Sequence, residues 1–375
     1  MATPRPSGSG KRPTITEVAR RAGVSTGTVS RHLNGGHWVS PDSAKAIARA
    51  IRETGYVANS TARRLRTGRS GTVAFVIDEP PASFFEDPTF ESLVIEVGQA
   101  LAARDQSMVL LLAGDEDSAK RAENFLLTSG VDGAVTASAQ PQHHLFERIQ
   151  AAGIPLVNVG SPAGLEDRVA FVAADDREGA RMMARHLLER GARRLAVIAG
   201  PAHTPGGSLR PEAFADAVRD AGGAGGTGGA DGTSTAGGSE GADGSVAEGA
   251  AARIVTVRHG DYSERSGEDC AAEILAEHPD VEAIFAANDR MARGAIAALR
   301  AAGRAVPGDV LVGGFDDSAG AVAEDPPLTT VRQDFRRIAV ELVDALGKQL
   351  DGGVRANVVV PVQLVVRDST SPARP

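Results

Sequence analysis

Cysteine, aromatic residues and long apolar runs are all scarce in this sequence of 375 residues. Its single cysteine, Cys270, excludes an intrachain disulfide and a metal site built from several cysteines, as suits a reducing compartment. No apolar run approaches the roughly 20 residues that a membrane-spanning helix needs. The start, MATPRPSGSGKRP, is basic and polar and lacks the apolar segment of a secretory signal. These absences predict a cytoplasmic protein with no membrane partner.

Charge is divided unevenly along the chain. Residues 1–69 contain thirteen Lys and Arg and three Asp and Glu, a net of +10, so the chain total of −8 leaves −18 for the remainder. A basic segment joined to an acidic body indicates that only the first part contacts a polyanion such as DNA. A solvated basic tail has a similar composition, but such a tail would lack helical periodicity.

Helical periodicity does begin early in the chain. Residues 1–13 have the composition of a disordered arm, and three runs with apolar residues at helical spacing follow over 14–58. Their short length and the tight Gly-Val-Ser turn between the first two predict a helix-turn-helix unit. The boundary residues are Gly23 after the first run, Ser25 and Asn34-Gly35-Gly36 around the second, and Ser40-Pro41 and Gly55 around the third.

The second of these helices has short hydroxyl side chains where helices usually prefer longer ones. In a helix-turn-helix unit this helix lies in the DNA major groove, and long side chains at every position would hold its backbone away. Short hydroxyl groups can contact phosphates and base edges, and an arginine can contact guanine through two hydrogen bonds. The residues concerned are Ser25, Thr26, Thr28, Ser30 and Arg31.

After Gly71, short apolar strands alternate with helical stretches, which predicts parallel sheets with helices on both faces. Residues 222–249 interrupt this pattern, and we expect a flexible surface loop because a Gly-rich segment cannot bury a core. The loop also lacks the Gly-Lys-Ser/Thr ending of a phosphate-binding loop. We expect two series of strands, over 72–77, 108–113, 133–138 and 154–159, and then over 169–174, 194–200, 253–257, 282–287 and 310–315.

Polar residues follow several of these strands, at the sheet edge where open α/β folds bind ligands. Carboxylates, an amide and a guanidinium at one edge suit a ligand with several hydroxyl groups. We expect Asp289 and Asp317 to cap the helices that follow them. Phe84, Phe85 and Phe90 mark the other side of the cleft, where they could stack on a ring or simply pack. The expected pocket residues are Asp175 and Asp176, with capping as the alternative for both, Arg210 at the start of a helix over 210–221, Asn288 and Asp316.

The stretch TITEVARRAGVSTGTVSRHLNGGHWVSPDSAKAIARAIRETGYVANSTARRLR (14–66) resembles, without gaps, the DNA-binding head of the LacI/GalR family. This resemblance implies that Thr26, Gly27 and Arg31 touch bases, although the family usually has a side chain at the position of Gly27. It implies that Ser25, Thr28, Ser30 and Asn34 hold phosphates. NSTARRLRTGRS (59–70) resembles the family hinge, which becomes a helix on the operator and inserts a Leu into the minor groove. The matching hinge residues are Asn59, Ala62, Arg63 and Leu65.

The resemblance also implies the fold class. It implies an all-α helix-turn-helix head joined by a hinge helix to an α/β periplasmic-binding-protein-like effector domain with two doubly wound parallel-sheet subdomains. We expect the effector and dimerisation domain over 71–368 and a disordered tail over 369–375. The family's effector-binding positions match Arg210, Asn288 and Asp316, and we add Phe90 and Asp176 from their places beside the cleft.

The function implied is that of a repressor controlled by a small molecule. The expected partners are a pseudo-palindromic double-stranded operator, a second copy of the chain and an effector such as a sugar. A nucleoside or purine effector, or none, is the alternative. The chain end lacks the Leu heptads of family members that tetramerise, so we expect a homodimer.

Other classes of protein lack their signatures here. The sequence has no HExxH or Walker motif. It has no GxSxG elbow either, because its two GxSxG strings, at 23–27 and 237–241, lie between two predicted helices and in the Gly-rich segment rather than at a turn from a strand to a helix. His143-His144 has no neighbouring Cys or acidic ligand, so we expect no enzyme, cofactor or metal site. A solute-binding protein would need a signal peptide and no DNA-binding head.

Overall fold

The structure is a computed structural model, and it describes residues 13–33, 39–56, 69–137, 144–162, 164–223 and 251–371. The chain separates into two compact units, Met1–Gly71 and Thr72–Pro375. Each is described by itself.

The first unit contains the three predicted helices, α1 (Ile15–Ala22), α2 (Thr26–Leu33) and α3 (Pro41–Thr54). The predicted boundaries at Gly23, Ser25, Ser40-Pro41 and Gly55 are confirmed, whereas the predicted stop of the second helix over 34–36 lies outside the described residues. Gly23 and Gly55 end α1 and α3 in the left-handed conformation that glycine adopts without strain, with φ of 69° and 65°. The Ser40 side chain accepts a hydrogen bond from the backbone N–H of Ser43, with Pro41 in the first turn. The core of this unit consists of Val18, Ala19, Val29, Ile47 and Ala50.

The second unit has twelve strands among its described residues. They are β1 (Thr72–Ile77), β2 (Ser107–Leu112), β3 (Gly133–Ala137), β4 (Leu156–Val159), β5 (Ala170–Ala174), β6 (Arg194–Ala199), β7 (Arg253–His259), β8 (Ala283–Ala286), β9 (Leu311–Gly313), β10 (Thr330–Arg332), β11 (Val358–Val360) and β12 (Gln363–Val365).

Helices connect these strands. They are α4 (Pro81–Glu86), α5 (Pro88–Ala102), α6 (Glu116–Ser129), α7 (Leu145–Ala151), α8 (Asp176–Glu189), α9 (Pro205–Gly223), α10 (Glu264–Glu277), α11 (Asp289–Ala301), α12 (Ala319–Ala323) and α13 (Phe335–Leu350), followed by a short 3₁₀ helix, Asp368–Thr370.

Two parallel sheets define two lobes. The first lobe is built on a sheet of order β11-β5-β4-β3-β1-β2, and the second on a sheet of order β7-β6-β8-β9. β10 and β12 form a separate antiparallel pair. Helices cover both faces of each sheet, so most central strand residues are fully buried. The α/β architecture with two parallel sheets is therefore confirmed.

The division of strands between the lobes differs from the sequence prediction. We expected 169–174 to open the second series, but β5 pairs with β4 in the first sheet, from Val157↔Ala170 to Val159↔Val172. The chain also returns to the first sheet near its end, where β11 pairs with β5. Apolar alternation identifies strands but carries no information about which sheet accepts them.

The predicted disordered tail over 369–375 is wrong for its first residues. Ser369 and Thr370 are fully buried. The Ser369 hydroxyl donates to the Val312 carbonyl at 2.6 Å, and the Thr370 hydroxyl lies 2.8 Å from His186 Nε2. Small hydroxyl side chains look like a tail in composition, but here their hydrogen bonds are satisfied inside the second lobe. Residues 372–375 lie outside the described part of the chain.

Candidate functional site

A cavity of about 770 Å³ lies between the two lobes. Its walls come from the carboxyl ends of strands in both sheets, together with the starts of the helices that follow them. Open α/β sheets bind ligands at this edge because backbone and side-chain polar groups converge there. The sequence predicted the edge correctly, and the structure adds which side chains meet in it.

Arg210 and Asp176 are enclosed charges in the cavity wall, each with 8% of its surface exposed. The Nε of Arg210 donates to Asp176 Oδ1 at 2.7 Å, and its Nη1 donates to the Ala287 carbonyl and lies 3.5 Å from Asp316 Oδ1. Burial opposes the charge, but the two carboxylates outweigh burial and raise the pKa of Arg210 above its usual value. We had predicted that Arg210 begins a helix over 210–221, which is wrong, because α9 begins at Pro205.

The Phe315 ring packs against one face of the Arg210 guanidinium group. Arg210 Cζ lies 3.6 Å from the centroid of the Phe315 ring, a cation–π contact in a fully buried site. Gly179 of α8 leaves room for this ring, because a Cβ there would lie only 2.7 Å from Phe315 and 2.9 Å from Val331. The absence of a side chain at Gly179 therefore allows the Phe315 ring to lie where it contacts Arg210.

Asp316 lies directly after Phe315 and faces Arg210. Its backbone has a φ of 114°, which is unusual for a residue with a side chain. Its Oδ1 accepts a hydrogen bond from Gln333 Nε2 at 2.7 Å. Burial raises the pKa of Asp316 well above its usual range; Arg210 opposes this, and the carboxylates of Asp289 and Asp87 add to it.

Asn288 is both a wall residue and the cap of α11. Its Oδ1 accepts the Met291 backbone N–H at 2.9 Å, and its Nδ2 donates to the Tyr262 carbonyl at 3.0 Å. We had predicted that Asp289 caps this helix, which is wrong. Asp289 is buried one residue further on and accepts from Thr330 Oγ1 and the Ser318 N–H, and burial raises its pKa to about 6.

The remaining predicted aspartates have distinct roles. Asp175 caps α8 by accepting the Glu178 N–H at 2.9 Å, whereas Asp176 lines the cavity. The predicted capping role of Asp317 is wrong, because its carboxylate pairs with Arg332 and Arg367 at 2.5 Å each. The two aspartates of each adjacent pair, Asp175-Asp176 and Asp316-Asp317, have different partners, and their spacing in the sequence does not show which one lines the cavity.

Two wall residues, Tyr262 and Gln333, were missed in the sequence. The Tyr262 hydroxyl lies 2.6 Å from Thr204 Oγ1, and burial raises its pKa to about 12. Gly200 makes space for the ring, since a Cβ there would lie 2.2 Å from it. Tyr262 follows β7 as Asp316 follows β9, so the carboxyl-end rule could have found it.

The first lobe contributes aromatic and acidic groups. Phe90 is 8% exposed and lines the cavity, with its ring centroid 5.9 Å from that of Phe84. Phe85 is 79% exposed, with its ring centroid 4.9 Å from that of Phe84, and neither of these two residues lines the cavity. Asp87 caps α5 through the Thr89 N–H at 2.9 Å. Glu86 reaches across to Arg290 of the second lobe at 3.0 Å.

The predicted DNA-contacting residues in and before α2 are exposed or, for Thr28 and Ser30, half-buried, whereas Val29 of the same helix is fully buried. Ser25 Oγ accepts the Thr28 N–H at 3.1 Å and lies 2.9 Å from Thr28 Oγ1, which confirms it as the helix cap. Arg31 is exposed, and its Nε donates to the Gly27 carbonyl at 3.2 Å. Thr26 and Gly27 are exposed, while Ser30 is half-buried. The predicted residues Asn34, Asn59, Ala62, Arg63 and Leu65 lie outside the described part of the chain.

Comparisons with known proteins follow this division of the chain. Residues 14–59 match the family of bacterial regulatory proteins, lacI family; residues 70–224 match the periplasmic binding proteins and sugar binding domain of the LacI family; and residues 184–370 match a periplasmic binding protein-like domain. The HTH-type transcriptional regulator CelR of Thermobifida fusca is 35% identical over 362 residues, 96% of this chain and 98% of that one. The chain belongs to the LacI family of bacterial transcriptional regulators.

Solved structures agree with this LacI-family assignment. A CelR–cellobiose complex is 34% identical, with a TM-score of 0.69 over 96% of this chain and 100% of that one. The Lac repressor dimer bound to operator and the anti-inducer ONPF is 25% identical, with a TM-score of 0.76 over 96% and 99%. The relatives are transcriptional regulators rather than enzymes.

Among the described residues, no helix is long and apolar enough to cross a membrane. No group of three or more His, Cys, Asp or Glu in the same ranges could hold a metal ion.

Proposed function

We propose that this LacI-family regulator is a homodimeric repressor whose operator affinity is set by a saccharide bound between the lobes. The observation that carries this proposal is the Arg210, Asp176 and Asp316 cluster in the cavity wall. Buried ion pairs add little stability compared with an apolar core, so their placement at the wall of a cavity favours a binding role.

The chemistry of the wall suits a polyhydroxylated ligand. Asp176, Asp316 and Asn288 offer acceptors and donors at fixed positions, and Tyr262 and Phe90 offer ring surface for the apolar face of a sugar. The CelR structure contains cellobiose, and the cavity of about 770 Å³ falls within the range of small-molecule sites. A nucleoside or purine is the alternative ligand.

A panel of candidate ligands tests the effector. We expect cellobiose, maltose or lactose to raise the melting temperature, with adenosine and hypoxanthine giving no shift. The Asp316→Asn variant replaces the carboxyl group that faces Arg210 with an amide of nearly the same size and should lose the shift. Asp105→Asn is the matched control, because Asp105 is an exposed turn residue outside the cavity. A shift with hypoxanthine alone would contradict the saccharide proposal.

For the DNA side, we infer that Ser25, Thr26, Gly27, Thr28, Ser30 and Arg31 face the operator. We assign Asn34 to phosphate contact, and Asn59, Ala62, Arg63 and Leu65 to the hinge on the basis of the family resemblance. The support from the structure is that Thr26, Gly27 and Arg31 of α2 are exposed whereas Val29 of the same helix is buried. In this arrangement Arg31 supplies the long donor that reads a base.

Arg31→Ala tests this arrangement. It should cost about 1–3 kcal/mol on the specific operator and much less on random DNA, because a base contact carries the sequence information. Binding is measured by fluorescence anisotropy on both DNAs. Equal losses on both would show that Arg31 contacts only phosphate.

A further inference from the structure

The cavity wall carries a large excess of negative charge. Among its described residues, seven have carboxyl groups and two have guanidinium groups, an excess of five acids. Even a protonated Asp316 would leave an excess of four. The acidic residues are Glu79, Glu86, Asp87, Glu147, Asp176, Asp261 and Asp316, and the basic residues are Arg210 and Arg290.

Both arginines already have carboxylate partners. Arg210 is held by Asp176 at 2.7 Å, and Arg290 by Glu86 at 3.0 Å. Residues 138–143, which follow β3 in the sequence and lie outside the described ranges, contain neither lysine nor arginine. Within the described wall, an incoming anion would therefore have to displace a carboxylate to find a cation.

The field in the cavity already opposes one more negative charge. Asp87 on the first lobe and Asp316 on the second are close enough for the Asp87 carboxylate to raise the pKa of Asp316, beyond the larger effect of burial. Like charges in a poorly solvated site repel strongly, and an added phosphate or carboxylate would meet the same repulsion.

We propose that this cavity selects its effector by charge, admitting neutral or amine-bearing saccharides and rejecting phosphorylated or carboxylated ones. The inference rests on the proposed saccharide function and narrows its ligand class. Rejection follows from repulsion and from the lack of an unpaired cation among the wall residues that the structure describes, a form of specificity by unfavourable contacts. An ammonium group would instead find several carboxylate acceptors.

Three disaccharides with the same β-1,4 linkage test this selection by titration calorimetry on the full chain. They are cellobiose, the glucosamine disaccharide and cellobiuronic acid. At low salt the acid should bind at least about tenfold more weakly than cellobiose, and the amine at least as tightly as cellobiose. The gap should narrow in about 0.5 M salt because the charges are partly screened.

Asp87→Asn sharpens the test, because asparagine caps a helix as well as aspartate and the fold is kept. It should reduce the discrimination against the acid about threefold or more, a partial loss because one of several repulsive charges is removed. Asp105→Asn, with the same charge change outside the cavity, should leave the discrimination unchanged.

Equal affinities for the acid and cellobiose would overturn the charge selection while leaving the saccharide function intact. Binding of none of the three would overturn the saccharide function and the selection with it.

Discussion

Arg210 on α9 of the second lobe and Phe85 on α4 of the first lobe lie in opposite surroundings, although both helices contribute residues to the cavity wall. Arg210 is 8% exposed and held by two carboxylates, a carbonyl and a ring, whereas Phe85 is 79% exposed and contacts Phe84. The second-lobe wall is thus fixed by its own packing before any ligand arrives. The first-lobe wall near α4 is held by few contacts, and Glu86 touches the second lobe through Arg290.

We infer from this difference that the walls of the two lobes have different roles in ligand binding. A preorganised wall fixes the orientation of a ligand at low entropic cost. A wall with few buried contacts can adjust its position, and elements that move on ligand binding come from such less stable regions. We therefore expect substitutions in the second-lobe wall to affect stability and binding together, and substitutions in the first-lobe wall to affect binding alone.

Arg210→Ala should have the largest effect. It leaves Asp176 and Asp316 buried without their cation, which costs about 3–5 kcal/mol of unfolding free energy. Arg177→Ala is the matched control, because Arg177 pairs with Glu212 at 2.9 Å on the surface and its loss should cost about 1 kcal/mol or less. Urea denaturation measures both. Equal losses would contradict the preorganised wall.

Gly179→Ala should have the next largest effect. The new Cβ would press on Phe315 and Val331, which costs about 1–3 kcal/mol and tilts the ring under Arg210. Saccharide affinity should fall with stability. Gly98→Ala serves as the control, since Gly98 is also helical but its Cβ would meet Met108 at an ordinary 3.6 Å. A stabilised Gly179→Ala protein would show that the ring has room to move.

Arg210 and Gly179 illustrate what could and could not be predicted from the sequence. Local chemistry and the general geometry of parallel sheets were enough to predict helix caps such as Ser40 and Gly55, the strand positions and the sheet edge that lines the cavity. The support of Arg210 by Phe315 and Gly179 was not, because α8 and the loop after β9 are far apart in the chain. Asp289 and Asp317 were misassigned for the same reason, since their partners lie on distant elements.

Glu86→Gln tests the first-lobe wall. It removes an ion pair with Arg290 in which the Glu86 side chain is 62% exposed, so the unfolding free energy should change by about 1 kcal/mol or less. Saccharide affinity should still change, because this pair joins the two lobes at the cavity. Calorimetry and denaturation on the same preparation separate the two quantities. A stability loss as large as that of Arg210→Ala would remove the contrast between the walls.

His186 should give the smallest effect, on the pH dependence of the second lobe. Burial, aided by Arg190, lowers the pKa of His186 below 6.5, while Glu189 opposes the shift. The unfolded chain therefore binds this proton more readily, so the contribution to stability is present above pH 6.5 and is lost as pH falls towards the folded pKa. His186→Gln should flatten this slope in denaturation curves below pH 6.5. An unchanged slope would assign it to other groups.

The central claim is that the cavity and the operator-binding surface are coupled, and reciprocity tests it most directly. Operator affinity is measured by anisotropy with and without saturating saccharide, starting with cellobiose, and saccharide affinity is measured by calorimetry with and without operator. Linkage requires the two fold-changes to be equal, and we predict a shared factor of about 5–150. A saccharide that binds tightly in the cavity yet leaves operator affinity unchanged would contradict the claim.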